Sequence, residues 1–107
     1  MNQKLEIHKD ERGDLVEIFK FPNDGQIFYT VSLPGAVRGN HYHTRKKEVF
    51  CVIEGEGKIS MRDIKSGEVK EYIVSGEKPE TVEMPLNWTH NIKNIGSGNM
   101  KLLVWAN

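Results

Sequence analysis

The stretch "RGNHYHTRKKEVFCVIEG", residues 38–55, holds two histidines one residue apart and a glutamate five positions after the second. If 41–43 is extended, His41 and His43 project to one side and Tyr42 to the other, because side chains alternate along a strand. Glu48 then opens the next apolar run. Two strand-borne imidazoles and a nearby carboxylate offer three donors to one divalent cation. These donor types suit Zn, Fe, Mn, Ni or Co, with geometry choosing among them. A fourth donor has to come from a distant segment, and His90 in "PLNWTHNIKN" is the obvious one. The competing reading is plain. A histidine in a strand-rich chain is more often a polar surface or core residue, and His41 and His43 alone leave both readings open. His8 stands in a charged segment without a partner and reads as a surface residue.

The elements that would carry these donors are strands. "LVEIFKF" (15–21), "QIFYTVSL" (26–33), "EVFCVIE" (48–54), "KISMRDI" (58–64), "VKEYIV" (69–74), "TVEM" (81–84) and "MKLLVW" (100–105) are short and rich in β-branched or aromatic residues. Turn signals such as "PNDG", "GEG", "KSGE", "SGEKP" and "GSGN" separate them. No segment of a dozen residues keeps a helical apolar period. Many short strands with Gly and Pro punctuation imply an all-β sandwich or barrel. In 48–54, Glu48, Phe50 and Val52 share one face while Val49, Cys51 and Ile53 share the other. Both faces are largely apolar, as they are in 100–105, so a second copy of the chain is expected to cover one of them as a homodimer.

The 107 residues suit a single domain, 1–107. Fifteen Lys+Arg balance fifteen Asp+Glu, so no basic excess exists to attract a nucleic acid. Cys51 is the only cysteine, which excludes an internal disulfide and agrees with a reducing compartment. The first residues are charged, without an apolar signal region. No apolar run approaches the roughly 18 residues that would suggest a membrane span. The expectation is a cytoplasmic chain with no membrane partner.

Gly35, His41, His43, Glu48 and Gly55 fill every position of a pattern that resembles the first motif of the cupin superfamily. Pro85, Asn87, His90 and Asn94 resemble the second. This second motif departs twice: Asn87 stands where glycine is usual, and Pro79 stands at the opening glycine. Asparagine is the next best residue at positive φ, so the first departure is mild. The second bears on the turn before 81–84. The resemblance implies a cupin double-stranded β-helix, a jelly-roll barrel, with a metal held by His41, His43, Glu48 and His90.

"DERGDLVEIFK", "LPGAVRGNHYH", "YIVSGEKPETVEMP", "THNIKNIG" and "VWAN" are in turn similar to the C-terminal cupin domain of CapF-type capsular polysaccharide biosynthesis enzymes. That likeness covers roughly residues 10–107. It implies a zinc-bound domain that epimerises C3 of a UDP-linked 4-keto-6-deoxy-N-acetylhexosamine, with a separate reductase acting at C4. A more distant likeness, through Arg38-Gly39-Asn40-His41, is to dTDP-4-keto-rhamnose 3,5-epimerases, where the histidine is a general base and no metal is needed.

Epimerisation beside a ketone removes a proton from one face and returns one to the other through an enolate. The enolate charge needs an electrophile, which a Lewis-acid metal supplies, and the proton needs a base of near-neutral pKa. Histidines that ligate a metal are not free to be that base. The spare groups are Tyr42, Glu17 and Tyr29, with Glu83 and Lys20 behind them. The diphosphate calls for cations, and arginine binds phosphate in a bidentate fork, so Arg38 and Arg12 are the candidates. Trp88 could stack on a base or sugar, whereas Trp105 reads as core or interface. A different metal-dependent cupin enzyme, a dioxygenase or a small isomerase, and a non-catalytic sugar-binding cupin are the competing functions.

Overall fold

The computed structural model describes residues 1–41 and 46–107, with the side chain of His41 outside the description. Ten strands form, β1 (His8–Asp10), β2 (Gly13–Phe21), β3 (Gly25–Ser32), β4 (Val37–His41), β5 (Glu48–Glu54), β6 (Glu56–Asp63), β7 (Val69–Ser75), β8 (Thr81–Met84), β9 (Trp88–Asn94) and β10 (Met100–Ala106). Among the described residues there is no helix. A six-stranded sheet runs β1-β2-β3-β10-β5-β8, and a four-stranded sheet runs β4-β9-β6-β7, with every pairing antiparallel.

Alternation decides what lies between the sheets. Phe50, Val52, Met84, Met100, Leu102 and Val104 of the larger sheet meet Ile59, Met61, Val74 and Ile92 of the smaller one, and all ten are buried. Burial on this scale is the main favourable term, on the order of 1.5–3 kcal/mol for each large apolar side chain. The seven strands read from the sequence all form, and β5 and β8 keep their expected ends. Pro79 does not disturb the turn before β8. Asn87 adopts a φ of 64°, the left-handed conformation that its place in the second motif requires.

Three strands escape the simple alternation signal. β1 is fully exposed and charged, and it forms because its residues complete a hairpin with β2. In β9 the inward positions include His90 and Asn94 beside Ile92, so the inner face does not read as apolar. β4, "VRGNH", is interrupted by Gly39 at φ 103° and Asn40 at φ 68°.

Asn94 ties the two sheets together. It is 1% exposed. Its Nδ2 donates to the carbonyls of Ser32 and Gly98, both at 2.9 Å, and its Oδ1 accepts from the Gly96 N–H at 2.9 Å. Its backbone N–H donates to the Ala36 carbonyl. Every polar atom of this buried side-chain amide therefore helps to hold the fold.

Candidate functional site

Strand β9 carries His90 inward, 3% exposed, and β5 carries Glu48 inward from the opposite sheet. His90 Nε2 lies 3.1 Å from Glu48 Oε1. The Phe50 ring meets the imidazole edge to face, with centroids 5.7 Å apart and planes at 86°, which helps to fix the ring's orientation.

The backbone of β4 brings His41 directly opposite His90. That register depends on a bulge. Gly39 pairs with Asn91 and His41 with His90, so Asn40 is the extra residue. A Cβ on Gly39 would sit 2.8 Å from the His90 carbonyl oxygen, so both the space and the φ demand glycine there. Asn91 Nδ2 donates to Asn40 Oδ1 at 2.8 Å across the bulge. Tyr42 and His43 lie outside the described residues, as do Thr44 and Arg45 of the "TRKK" turn.

The Glu48–His90 pair fits a divalent cation. A nitrogen and an oxygen each about 2.1 Å from one zinc stand roughly 3.0–3.4 Å apart at angles between 90° and tetrahedral. Among the described residues no third histidine, cysteine or carboxylate joins them. The remaining two expected donors are the His41 side chain and His43, both beyond the description.

A cavity of about 240 Å³ lies between the sheets, lined by Glu48 at one end, Arg12 and Arg38 at the other, and Thr30, Phe28 and Phe50 among the residues between. Arg38 is half-buried. Its Nε donates to Ser32 Oγ at 2.9 Å, and its Nη2 to the carbonyls of Asp14 at 3.1 Å and Val31 at 3.4 Å. It thereby pins β4 of the small sheet to β2 and β3 of the large one. Desolvation lowers its pKa, and the nearby charge of Arg12 lowers it further. Arg12 is held by Asp10, whose Oδ2 accepts from Nε at 3.0 Å and Nη2 at 2.6 Å. That hydrogen bonding holds the Asp10 carboxyl down at about 2 and raises the pKa of Arg12. Two guanidiniums at one end of a cavity favour an anion there.

The other residues singled out by the sequence are more scattered. Glu17 stands opposite Phe28 in the β2–β3 register, hence on the inward side, next to a second bulge. Tyr29 belongs to the alternate set, with Val16 and Leu103 as its cross-strand neighbours, and faces outward. Trp88 packs against the core while Lys70 Nζ sits 5.4 Å from its ring centroid. Glu83 pairs with Lys47 at 3.4 Å, and Lys20 lines a separate surface groove with Lys46.

Residues 8–107 match the family model described as the polysaccharide biosynthesis C-terminal domain. The chain belongs to this family. It is 40% identical to the capsular polysaccharide assembling protein CapF from Staphylococcus aureus, whose crystal structure superposes with a TM-score of 0.95 over 99% of this chain and 31% of that one. It is 42% identical over 101 residues to UDP-2-acetamido-2,6-beta-L-arabino-hexul-4-ose reductase of Pseudomonas aeruginosa, covering 94% of this chain and 27% of the relative. A probable low-salt glycan biosynthesis epimerase of Haloferax volcanii is 25% identical over 104 residues, 86% of this chain and 67% of the relative. The chain thus spans about a third or less of the two proteins it resembles at 40% identity or more. The CapF likeness read from the sequence holds, and the jelly roll of this polysaccharide biosynthesis C-terminal domain is that of a cupin.

Within the domain, sequence reasoning missed Thr30, Asn40 and Asn91. Thr30 offered no motif. Asn40 did carry a signal, since "GN" inside a strand suggests a bulge.

Proposed function

We propose that this domain is a metal-dependent epimerase acting at C3 of a UDP-4-keto-6-deoxy-N-acetylhexosamine, in the making of precursors for a capsular or surface polysaccharide. The observation that carries the proposal is a cavity lined at one end by Glu48, whose carboxylate lies 3.1 Å from His90 Nε2 behind it, and at the other by two arginines. A nucleotide sugar has matching polarity, with a ketone-bearing ring at one end and a diphosphate at the other. The relatives' names support the class: one is a reductase of a UDP-linked 2-acetamido hexos-4-ulose, and another is a probable epimerase.

In this reading His41, His43, Glu48 and His90 hold the cation, zinc first, with Fe, Mn, Ni and Co as alternatives. When bound, the cation supplies Lewis-acid polarisation of the C4 ketone, which acidifies the neighbouring C3–H. Arg38, with Arg12 beside it, takes the diphosphate and fixes the depth of the sugar. The apolar walls, Phe28 and Phe50 among them, exclude water and so strengthen every charge interaction inside. Proton transfer falls to Tyr42 or Glu17, with Tyr29 a further candidate only where the outward face of its strand joins a site. Trp88 stays a candidate for stacking at the rim.

The outward apolar face of β3, β5 and β10 supports a homodimer, and a separate reductase acting at C4 would carry out the downstream step. The test is exchange of the substrate's C3 proton with deuterated solvent. Binding of the nucleotide sugar without exchange would favour a sugar-binding cupin instead. A redox-active metal with oxygen consumption would favour a dioxygenase.

A further inference from the structure

Thr30 is 3% exposed, lines the cavity, and its Oγ1 has no hydrogen-bond partner among the described residues. A buried hydroxyl left unpaired costs on the order of 1–3 kcal/mol. Its cross-strand neighbours among the described residues, Leu15 and Leu102, offer it no polar group. Valine has nearly the same shape and would fill the position without that cost, whereas the threonine hydroxyl is placed to bond a group that enters the cavity.

Its place along the sheet says which part of the entrant it meets. On β3 the inward residues run Phe28, Thr30, Ser32. Ser32 Oγ accepts from Arg38, so the guanidinium end lies one inward position beyond Thr30. In the other direction, Phe28 shares a row with Val104 and Phe50, and Glu48 is the next inward residue past Phe50. Thr30 therefore stands between the Glu48–His90 end and the arginine end.

This inference rests on the nucleotide-sugar reading above. With the C4 ketone at the Glu48 end and the diphosphate on C1 at the arginine end, the ring edge between them carries the C3 hydroxyl, next to the ketone, and the C2 substituent, next to C1. Thr30, one inward position from the Ser32 that holds Arg38, lies on the C2 side of that edge. We infer that the Thr30 hydroxyl hydrogen-bonds the C2 substituent of the sugar and makes the domain selective for a 2-acetamido group over a 2-hydroxyl. Thr30 sets specificity, and no bond-making step passes through it.

The experiment compares wild type, Thr30→Val and Thr30→Ser by thermal unfolding and by calorimetric binding of UDP-N-acetylglucosamine and UDP-glucose. Thr30→Val is expected to keep or raise the unfolding midpoint. It is expected to weaken UDP-N-acetylglucosamine binding roughly tenfold, the ratio that one lost hydrogen bond gives. The preference over UDP-glucose should collapse with it, and Thr30→Ser should retain both. A lowered midpoint in Thr30→Val would mean that the hydroxyl serves the fold, and it would overturn the inference. Unchanged selectivity would overturn it equally. If wild type binds neither nucleotide sugar, the functional reading itself fails, a result distinct from wild-type binding that Thr30→Val leaves intact.

Discussion

At the scale of single residues, the site depends on groups whose meaning comes from spacing. Glu48 and His90 are 42 positions apart in the chain and 3.1 Å apart in space. Each fills a ligand position in one of two sequence motifs, and the motif spacing alone marks them as a pair. Thr30 carries no such mark, because a threonine in "IFYTVSL" is an ordinary strand former and only its unpaired burial sets it apart. The metal role is testable here. Glu48→Gln keeps the shape and removes the charge, and His90→Ala removes an imidazole. Either should weaken zinc binding by more than the roughly 10- to 100-fold typical of changes to groups that merely support the ligands. Competition with a chromogenic chelator measures it, and wild-type affinity in both variants would remove this pair from the site.

At the scale of elements, period-two alternation made most of the sheet legible, and β5 and β8 kept the ends expected of them. It failed where a strand's inner face has polar work to do. β9 turns His90 and Asn94 inward, one toward the site and the other into the joint between the sheets. β4 breaks its own alternation with a bulge, which sets His41 opposite His90, a register that no apolar count predicts. Asn94 is recognisable as a motif position, yet its structural load is visible only through its partners. Asn94→Ala removes three side-chain hydrogen bonds at a fully buried position. Each is worth about 1 kcal/mol net, and the orphaned groups add to the loss, so a destabilisation of about 2–4 kcal/mol is expected in urea unfolding. A change below about 0.5 kcal/mol would show that the knot is dispensable.

At the scale of the whole molecule, two sheets enclose a cavity that is apolar along its length and charged at both ends. The outer face of the larger sheet is unusually apolar for a surface, with Tyr29, Val49, Cys51, Leu103 and Trp105 only half-buried. That both faces of β5 and β10 are apolar was readable from the sequence, whereas the identity of the covering partner was not, since alternation reports burial and not what buries. A homodimer through this face predicts that light scattering gives twice the chain mass, and that Leu103→Lys shifts the protein to monomer with its fold retained. A monomeric wild type at micromolar concentration would remove this interface. The central claim, however, is chemical. The measurement that tests it most directly is mass-spectrometric detection of deuterium in a UDP-4-keto-6-deoxy-N-acetylhexosamine incubated with the zinc-loaded domain in deuterated water. One solvent deuteron is expected at C3, with incorporation lost in Glu48→Gln. A nucleotide sugar that binds the wild-type domain and returns without deuterium would contradict it.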